Sequence, residues 1–261
     1  MGTSPRISMT AATQIIKGQV TSLTVLDYGL FQVHANGRII GIPGFLIRTD
    51  KGENILIDTG FPPEYATDAA AASAADGLGS FGQVLALTPA HLPAAQLALC
   101  GLTPADIDLL ILTHSHIDHV GGIADFPGVR VLRSAPEAAL PKPLYFGGKQ
   151  PMDWPDRDYV TINSDTQICP GLRLLLTPGH VAGQMALWVE LPESGPVLLT
   201  SDAISRPAEV DEGFDTADDP EAAISSALRI LKLADRAGAL VIYGHCPDQW
   251  PLLPKAPDML T

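Results

Sequence analysis

The chain has 261 residues, of which 46% are hydrophobic and 17% charged, a balance that supplies a sizeable core and excludes intrinsic disorder. Lys and Arg number 16 against 29 Asp and Glu, for a formal net charge of -13. That sign is wrong for a surface that tracks nucleic-acid backbones or anionic lipid, so neither is expected as a partner; carboxylates gathered around divalent cations are one local cause of such acidity.

Cys100, Cys169 and Cys246 are widely spaced with no C-x-x-C pattern, which points to reduced thiols rather than a disulfide framework or a thiolate zinc site. No apolar signal region opens the chain, and no window reaches the ~18 apolar residues of a membrane span. A cytoplasmic protein with no membrane partner is expected. Length alone fits one domain covering 1–261, since about 150 residues per domain is a soft guide.

Residues 20–26 and 39–48 read as strands, the second crossing Gly41-Ile42-Pro43-Gly44, where the proline demands a bulge or an edge position. A third strand, 54–58, is short and apolar and ends at Asp58-Thr59-Gly60. The stretch 61–100 is Ala-rich and broken by Pro62-Pro63, Gly77, Gly79 and Gly82, with 93–99 a short helix; it reads as short helices and a mobile flap or insertion. Residues 108–113 form the clearest buried strand and run straight into His114-Ser115-His116-Ile117-Asp118-His119, then Gly121-Gly122.

Further strands are expected at 129–133, 172–177, 185–191 and 197–200. Two of them end in polar signatures, Thr177-Pro178-Gly179-His180 and Thr200-Ser201-Asp202. A helix follows, with Asp218 or Asp219 as N-cap, Pro220 in its first turn, Ile224, Leu228 and Leu231 as its apolar stripe, and Gly238 as C-cap. Residues 239–243 are a last buried strand, ending in Gly244-His245. This order predicts an α/β layered sandwich of two sheets with helices outside.

Five of the seven histidines (His114, His116, His119, His180 and His245) fall just after strands or in loops, and Asp58, Asp118 and Asp202 fall in equivalent places. In extended chain, residues i and i+2 point the same way, so His114 and His116 can converge on one ion, while Asp118 and His119 at the following turn reach a neighbouring position. Imidazole and carboxylate suit zinc and other first-row divalent ions. His180, Asp202 and His245 are candidates for the remaining ligands, and a carboxylate such as Asp202 can bridge two cations. Ser115 and Cys246 read as spacers.

On these residues the chain resembles the metallo-β-lactamase superfamily, over roughly 20–250. The resemblance implies an αβ/βα sandwich of two mixed sheets with outer helices and two divalent metal ions per chain, zinc by expectation, with Mn, Fe or Co as alternatives. It places His114, His116 and His180 on the first ion, Asp118, His119 and His245 on the second, and Asp202 between them. Asp58 looks like the carboxylate that orients a ligating imidazole. Two cations sharing a water make hydroxide available near neutral pH, and Asp118 is placed to orient it and carry a proton to the leaving group.

Within the superfamily, a bridging Asp202 counts against true β-lactamases. Sixteen residues follow His245, which weakens the glyoxalase II branch with its C-terminal helical region, and the net charge disfavours nucleases. The chain is most similar to the N-acyl-homoserine lactonase group, through Asp58-Thr59-Gly60, the apolar Ile117 before Asp118, and Asp202-Ala203. It departs where that group commonly reads Asp-Ala-x-Tyr, because Ser205 stands at the Tyr position. Either Tyr28, His34 or Tyr145 then assists at the lactone, or the substrate differs.

An acyl chain needs an apolar wall, for which Phe31, Phe61, Phe81, Ile117, Tyr145, Phe146, Trp154, Ile204 and Phe214 are candidates beside Ser205. The acidic run of Glu209, Asp211, Glu212, Asp215, Asp218, Asp219 and Glu221 reads as a solvated loop. A hydrolase opening a small lactone or ester is expected, with N-acyl-homoserine lactone favoured and quorum quenching its consequence. The alternatives are a thioester, a phosphoester, another lactone, or the chemistry of a mononuclear iron dioxygenase. A homodimer contact through the loops is left open.

Overall fold

The computed structural model describes residues 16–140, 154–157 and 159–261. Its sheets follow from alternation. In β3 (Asn54–Ile57) and β5 (Leu109–Ile111), Ile55, Ile57, Leu109 and Ile111 join one buried cluster while Leu56 and Leu110 join another. The same split occurs in β10 (Met185–Leu191), where Met185, Leu187 and Val189 face the first cluster and Ala186 and Trp188 a third. Side chains of period two that are apolar on both faces make a strand that must be covered twice.

Among the described residues, one sheet orders β4-β1-β2-β3-β5-β6-β7 and the other β12-β11-β10-β9-β8. The added strands are β1 (Val20–Val33), β2 (Ile39–Thr49), β4 (Gly82–Ala86), β6 (Arg130–Ser134), β7 (Tyr159–Ile162), β8 (Thr166–Cys169), β9 (Leu172–Leu176), β11 (Gly195–Leu199) and β12 (Leu240–Ile242). Both sheets are mixed: β3, β5, β6 and β7 run parallel, as do β11 and β12, and the other pairs are antiparallel. The cluster between the sheets draws on both, with Ile47 and Leu132 from one and Leu174 and Leu199 from the other. Helices cover the outer faces, α2 (Pro93–Leu99) through Leu97 and α6 (Pro220–Ala237) through Ala223, Ala227 and Ile230, with α4 (Ala135–Ala138) and α5 (Glu209–Glu212) as four-residue helices between them in the chain. The expected sandwich is present.

Several local expectations are corrected. The bulge near Pro43 lies in β1, between Asp27 and Leu30, where Gly29 has φ +104°. Pro43 pairs with Asp27, beyond the stretch of β2 that β3 covers, so no ladder bond is owed by its missing N–H. The stretch 61–100 does hold the short helices α1 (Ala69–Asp76) and α2, but it also supplies β4, which pairs with β1. In α6, capped by Asp219 and Gly238 as expected, the buried face is Ala223, Ala227, Ile230 and Ala234, whereas Ile224 and Leu228 are 38% and 55% exposed. Small side chains let the helix approach the sheet, and the large ones sit on its shoulder.

Candidate metal centre

The polar side chains collect where strands end. Asp58 follows β3, His114 follows β5, His180 follows β9, Asp202 follows β11 and His245 follows β12. These five strands run the same way within their sheets, so their carboxyl ends open on one edge of the sandwich, where loops are free to carry polar groups. His116 caps the single turn α3 (Ile117–Val120), which turns Asp118 and His119 back toward His114.

Two donor groups result. The ligand atoms of His114, His116, His180 and Asp202 all lie within 4.8 Å of one another, as do those of Asp118, His119 and His245. Asp202 stands between them: its Oδ1 is 3.3 Å from Nε2 of His119 and 3.2 Å from Nε2 of His245, and its Oδ2 is 3.4 Å from Nε2 of His180. Oδ2 of Asp118 is 3.5 and 3.6 Å from Nε2 of His119 and His245.

Buried polar atoms are almost always hydrogen-bonded, yet Nε2 of His114, Nε2 of His119 and Oδ1 of Asp202 are buried without a hydrogen-bond partner. Buried polar atoms that converge on one space without hydrogen-bond partners could be completed by a cation. The chemistry of the donor set, imidazole nitrogen with carboxylate oxygen, fits a divalent metal.

Electrostatics divide the groups in the same way. Burial holds His114, His116 and His180 below the ordinary histidine range, helped by the neighbouring imidazoles, which leaves them neutral and able to coordinate. Burial also acts on His119 and His245, but carboxylates outweigh it. Asp118, Asp202 and Asp58 raise His119 well above its usual value, and Asp202 and Asp118 lift His245 to about 9. Burial opposes the charge of Asp202, and His245 and His119 overcome it and hold its pKa well below the carboxylate range.

The surrounding bonds fix these side chains. Nδ1 of His119 is 2.8 Å from Oδ2 of Asp58, and Nδ1 of His245 is 2.9 Å from the Gly41 carbonyl oxygen. Each ring therefore turns Nε2 into the site. Asp58 accepts from the backbone N–H of Thr113 at 2.8 Å and from its hydroxyl at 2.7 Å, and Thr113 accepts from the Ser201 hydroxyl at 2.9 Å. Sequence reasoning missed Thr113 and Ser201, which are ordinary strand-end residues as text. Among the described residues the non-glycine positions with positive φ are Asp58, Ser201 and Phe214, all at this edge. Backbone held in that sparsely populated region marks a site that the surrounding fold constrains.

Close approach explains one glycine of the motif. A Cβ on Gly121 would lie 2.1 Å from the Pro62 nitrogen, so the turn after His119 packs directly on the backbone that follows Asp58-Thr59-Gly60.

A cavity of about 330 Å³ opens on His116, Asp118, His180, Asp202 and His245. Phe31, Phe61, Phe81, Ile117 and Phe214 line it, together with Ser205. The other pocket candidates differ. Ile204 is fully buried in the core under α6. Trp154 lies 4.4 Å over the Arg133 guanidinium, away from the cavity. Tyr145 and Phe146 lie outside the described residues.

Of the groups weighed against the missing Tyr, Tyr28 is buried with its hydroxyl 3.4 Å from the Asp58 carbonyl oxygen, and His34 is exposed and off the cavity wall. Glu209, read as part of a solvated run, instead lines the cavity and accepts the Ser205 N–H at 2.6 Å. Ser115 and Cys246 are buried spacers.

The chain matches the family model of the metallo-beta-lactamase superfamily over residues 42–245 and belongs to that superfamily. More particularly, it is 32% identical over 223 residues to an N-acyl homoserine lactonase of Bacillus thuringiensis, covering 82% of this chain and 85% of the relative. To the N-acyl homoserine lactonase AttM of Azorhizobium caulinodans it is 33% identical over 243 residues, 84% and 86% of the two chains. Its fold superposes on an N-acyl homoserine lactone hydrolase that has the product N-hexanoyl-L-homoserine at its catalytic metal center. The TM-score is 0.81 at 27% identity, covering 93% of this chain and 100% of that one.

Proposed function

We propose that this protein is a dinuclear metal-dependent hydrolase that opens N-acyl homoserine lactones. The observation that carries the reading is the Asp202 carboxylate, which presents one oxygen to each of two donor groups at the mouth of an apolar cavity. Relatives and a solved structure that bear the lactonase name support the substrate. His114, His116 and His180 with one Asp202 oxygen would hold the first ion, and Asp118, His119 and His245 with the other oxygen the second. Zinc suits this nitrogen and oxygen set. Because the donors come from both sheets, the two sheets work as one domain.

Held by these residues, two divalent ions would make hydroxide available near neutral pH and would polarise a carbonyl. The chain's own residues do the rest. Asp118 is partly exposed on the cavity wall, where its carboxylate can take a proton and return it to the leaving ring oxygen. Asp58 holds the His119 tautomer through Nδ1. Phe31, Phe61 and Phe81 stack at ring-centre separations of 5.8 and 5.9 Å, which makes a wall that keeps water from the acyl chain.

The test is proton release by metal-loaded protein in weak buffer with N-hexanoyl-homoserine lactone, beside a thioester, an aryl phosphotriester and a β-lactam. The expected result is lactone opening, with Asp118→Asn slower by about 100-fold or more, the usual scale of lost acid–base assistance. No opening of the lactone while another compound is turned over would overturn the reading.

A further inference from the structure

Two guanidinium side chains line the cavity, Arg38 and Arg206, and the second stands next to Ser205. Arg206 lines the cavity with Ser205, His180 and Asp202. Its backbone is held from both sides: Ser205 donates its N–H to Glu209 at 2.6 Å, the Ser205 carbonyl accepts from the His245 N–H at 2.9 Å, and the Arg206 carbonyl accepts from the Glu209 N–H at 3.2 Å. The backbone that carries Arg206 is thus tied to His245, one of the residues that would bind metal.

Its hydrogen-bonding capacity is not used up. A guanidinium carries five N–H donors. Nη2 pairs with the half-exposed carboxylate of Glu212, and Nε is buried with no acceptor. Phe31, Phe61, Phe81 and Phe214 line the same cavity, and a cationic donor set among such apolar groups is how small-molecule sites fix a ligand's orientation.

We propose that Arg206 is the substrate-orienting donor of this site, giving a hydrogen bond to a carbonyl oxygen of the bound lactone. The inference rests on the lactonase reading above. Two carbonyls carry this chemistry in an N-acyl lactone, that of the ring ester and that of the side-chain amide, and a neutral oxygen acceptor is shared by both. Glu212, half-exposed and off the cavity wall, balances the charge of the guanidinium.

The experiment compares unaltered protein with Arg206→Met on an N-acyl homoserine lactone and on an unacylated γ-lactone, with metal content and Tm measured alongside. A hydrogen bond from a charged donor is worth enough that kcat/KM should fall about 10- to 100-fold, with metal content and Tm unchanged. Loss on both substrates assigns the contact to the ring carbonyl, and loss on the acylated substrate alone assigns it to the amide. Unchanged kcat/KM on both overturns the proposal, and so does a loss matched by loss of metal, which would make Arg206 part of site assembly. If Arg206→Met fails to fold, Arg206→Leu, which likewise carries no donor, serves for the same comparison, and activity equal to the unaltered protein overturns the proposal. Inactivity of the unaltered protein toward every lactone removes the lactonase reading and this proposal with it. Activity with no effect at Arg206 removes the proposal alone.

Discussion

Oδ2 of Asp58 sits 2.8 Å from Nδ1 of His119, and this contact decides which nitrogen of the ring looks into the site. The same carboxylate is held by the N–H and hydroxyl of Thr113. Asp58→Asn places an amide where the ring needs an acceptor. Metal affinity is expected to fall about 10- to 100-fold, as for other groups that orient a ligating histidine. Chelator competition measures it, and unchanged affinity would contradict the role.

The metal-free protein should show an alkaline weakness. His245, lifted to about 9 from an ordinary 6.5, binds its proton more tightly when folded than when unfolded. The stability this gives is complete below about pH 6.5 and is lost as pH rises through about 9. Denaturant midpoints of metal-stripped protein should therefore decline from pH 6.5 to 9.5, while metal-loaded protein, its protons displaced, stays level over the same range. A metal-free midpoint that rises over that interval would contradict the carboxylate environment described for His245.

The start of α6 is pressed against the loop that carries His180. Gly179 has φ +143°, and a Cβ there would lie 2.3 Å from the Ala223 backbone. The Asp219 and Asp218 N–H groups donate to the Gly179 and His180 carbonyls at 2.9 and 3.2 Å. Gly179→Ala must move the helix or the loop, at a cost of about 1–3 kcal/mol or more from strain and overpacking. Thermal unfolding and metal content should both drop; a variant matching the parent in both would show that this approach is not tight.

Much of the site was legible because ligation depends on side-chain chemistry at the ends of strands, and apolar runs such as 108–113 mark those ends. The strand pattern was less complete. Gly82-Gln83-Val84-Leu85-Ala86 pairs with β1 but, with Gly and Ala at its ends, it has little β character of its own and takes its conformation from its partner. Tyr159–Ile162 and Thr166–Cys169 are four-residue strands with exposed positions, too short for alternation to stand out. Ile224, Leu228 and Leu231 read as the apolar stripe of α6 by their helical spacing, whereas the sheet accepts Ala223 and Ala227, which allow closer approach. Thr113 and Ser201 act through hydrogen bonds between separate strand ends, and such contacts exist only once both sheets are built.

The phenylalanine wall sets an expectation for specificity. Phe81, from the stretch before β4, stacks on Phe31, and both line the cavity. Phe81→Ala shortens that wall, so the preference for long over short acyl chains in kcat/KM should narrow by about 10-fold, within the range that apolar pocket contacts supply. Rates on N-butanoyl and N-decanoyl lactones give the ratio, and an unchanged ratio would place the acyl chain elsewhere.

Elemental analysis of metal bound per chain, on unaltered protein and on Asp202→Ala after dialysis, reaches the core of the mechanism. Two ions per chain in the first and a marked loss of both in the second are expected, since one carboxylate serves both donor groups. A single ion in the unaltered protein, or two retained without Asp202, would contradict a shared, bridged centre.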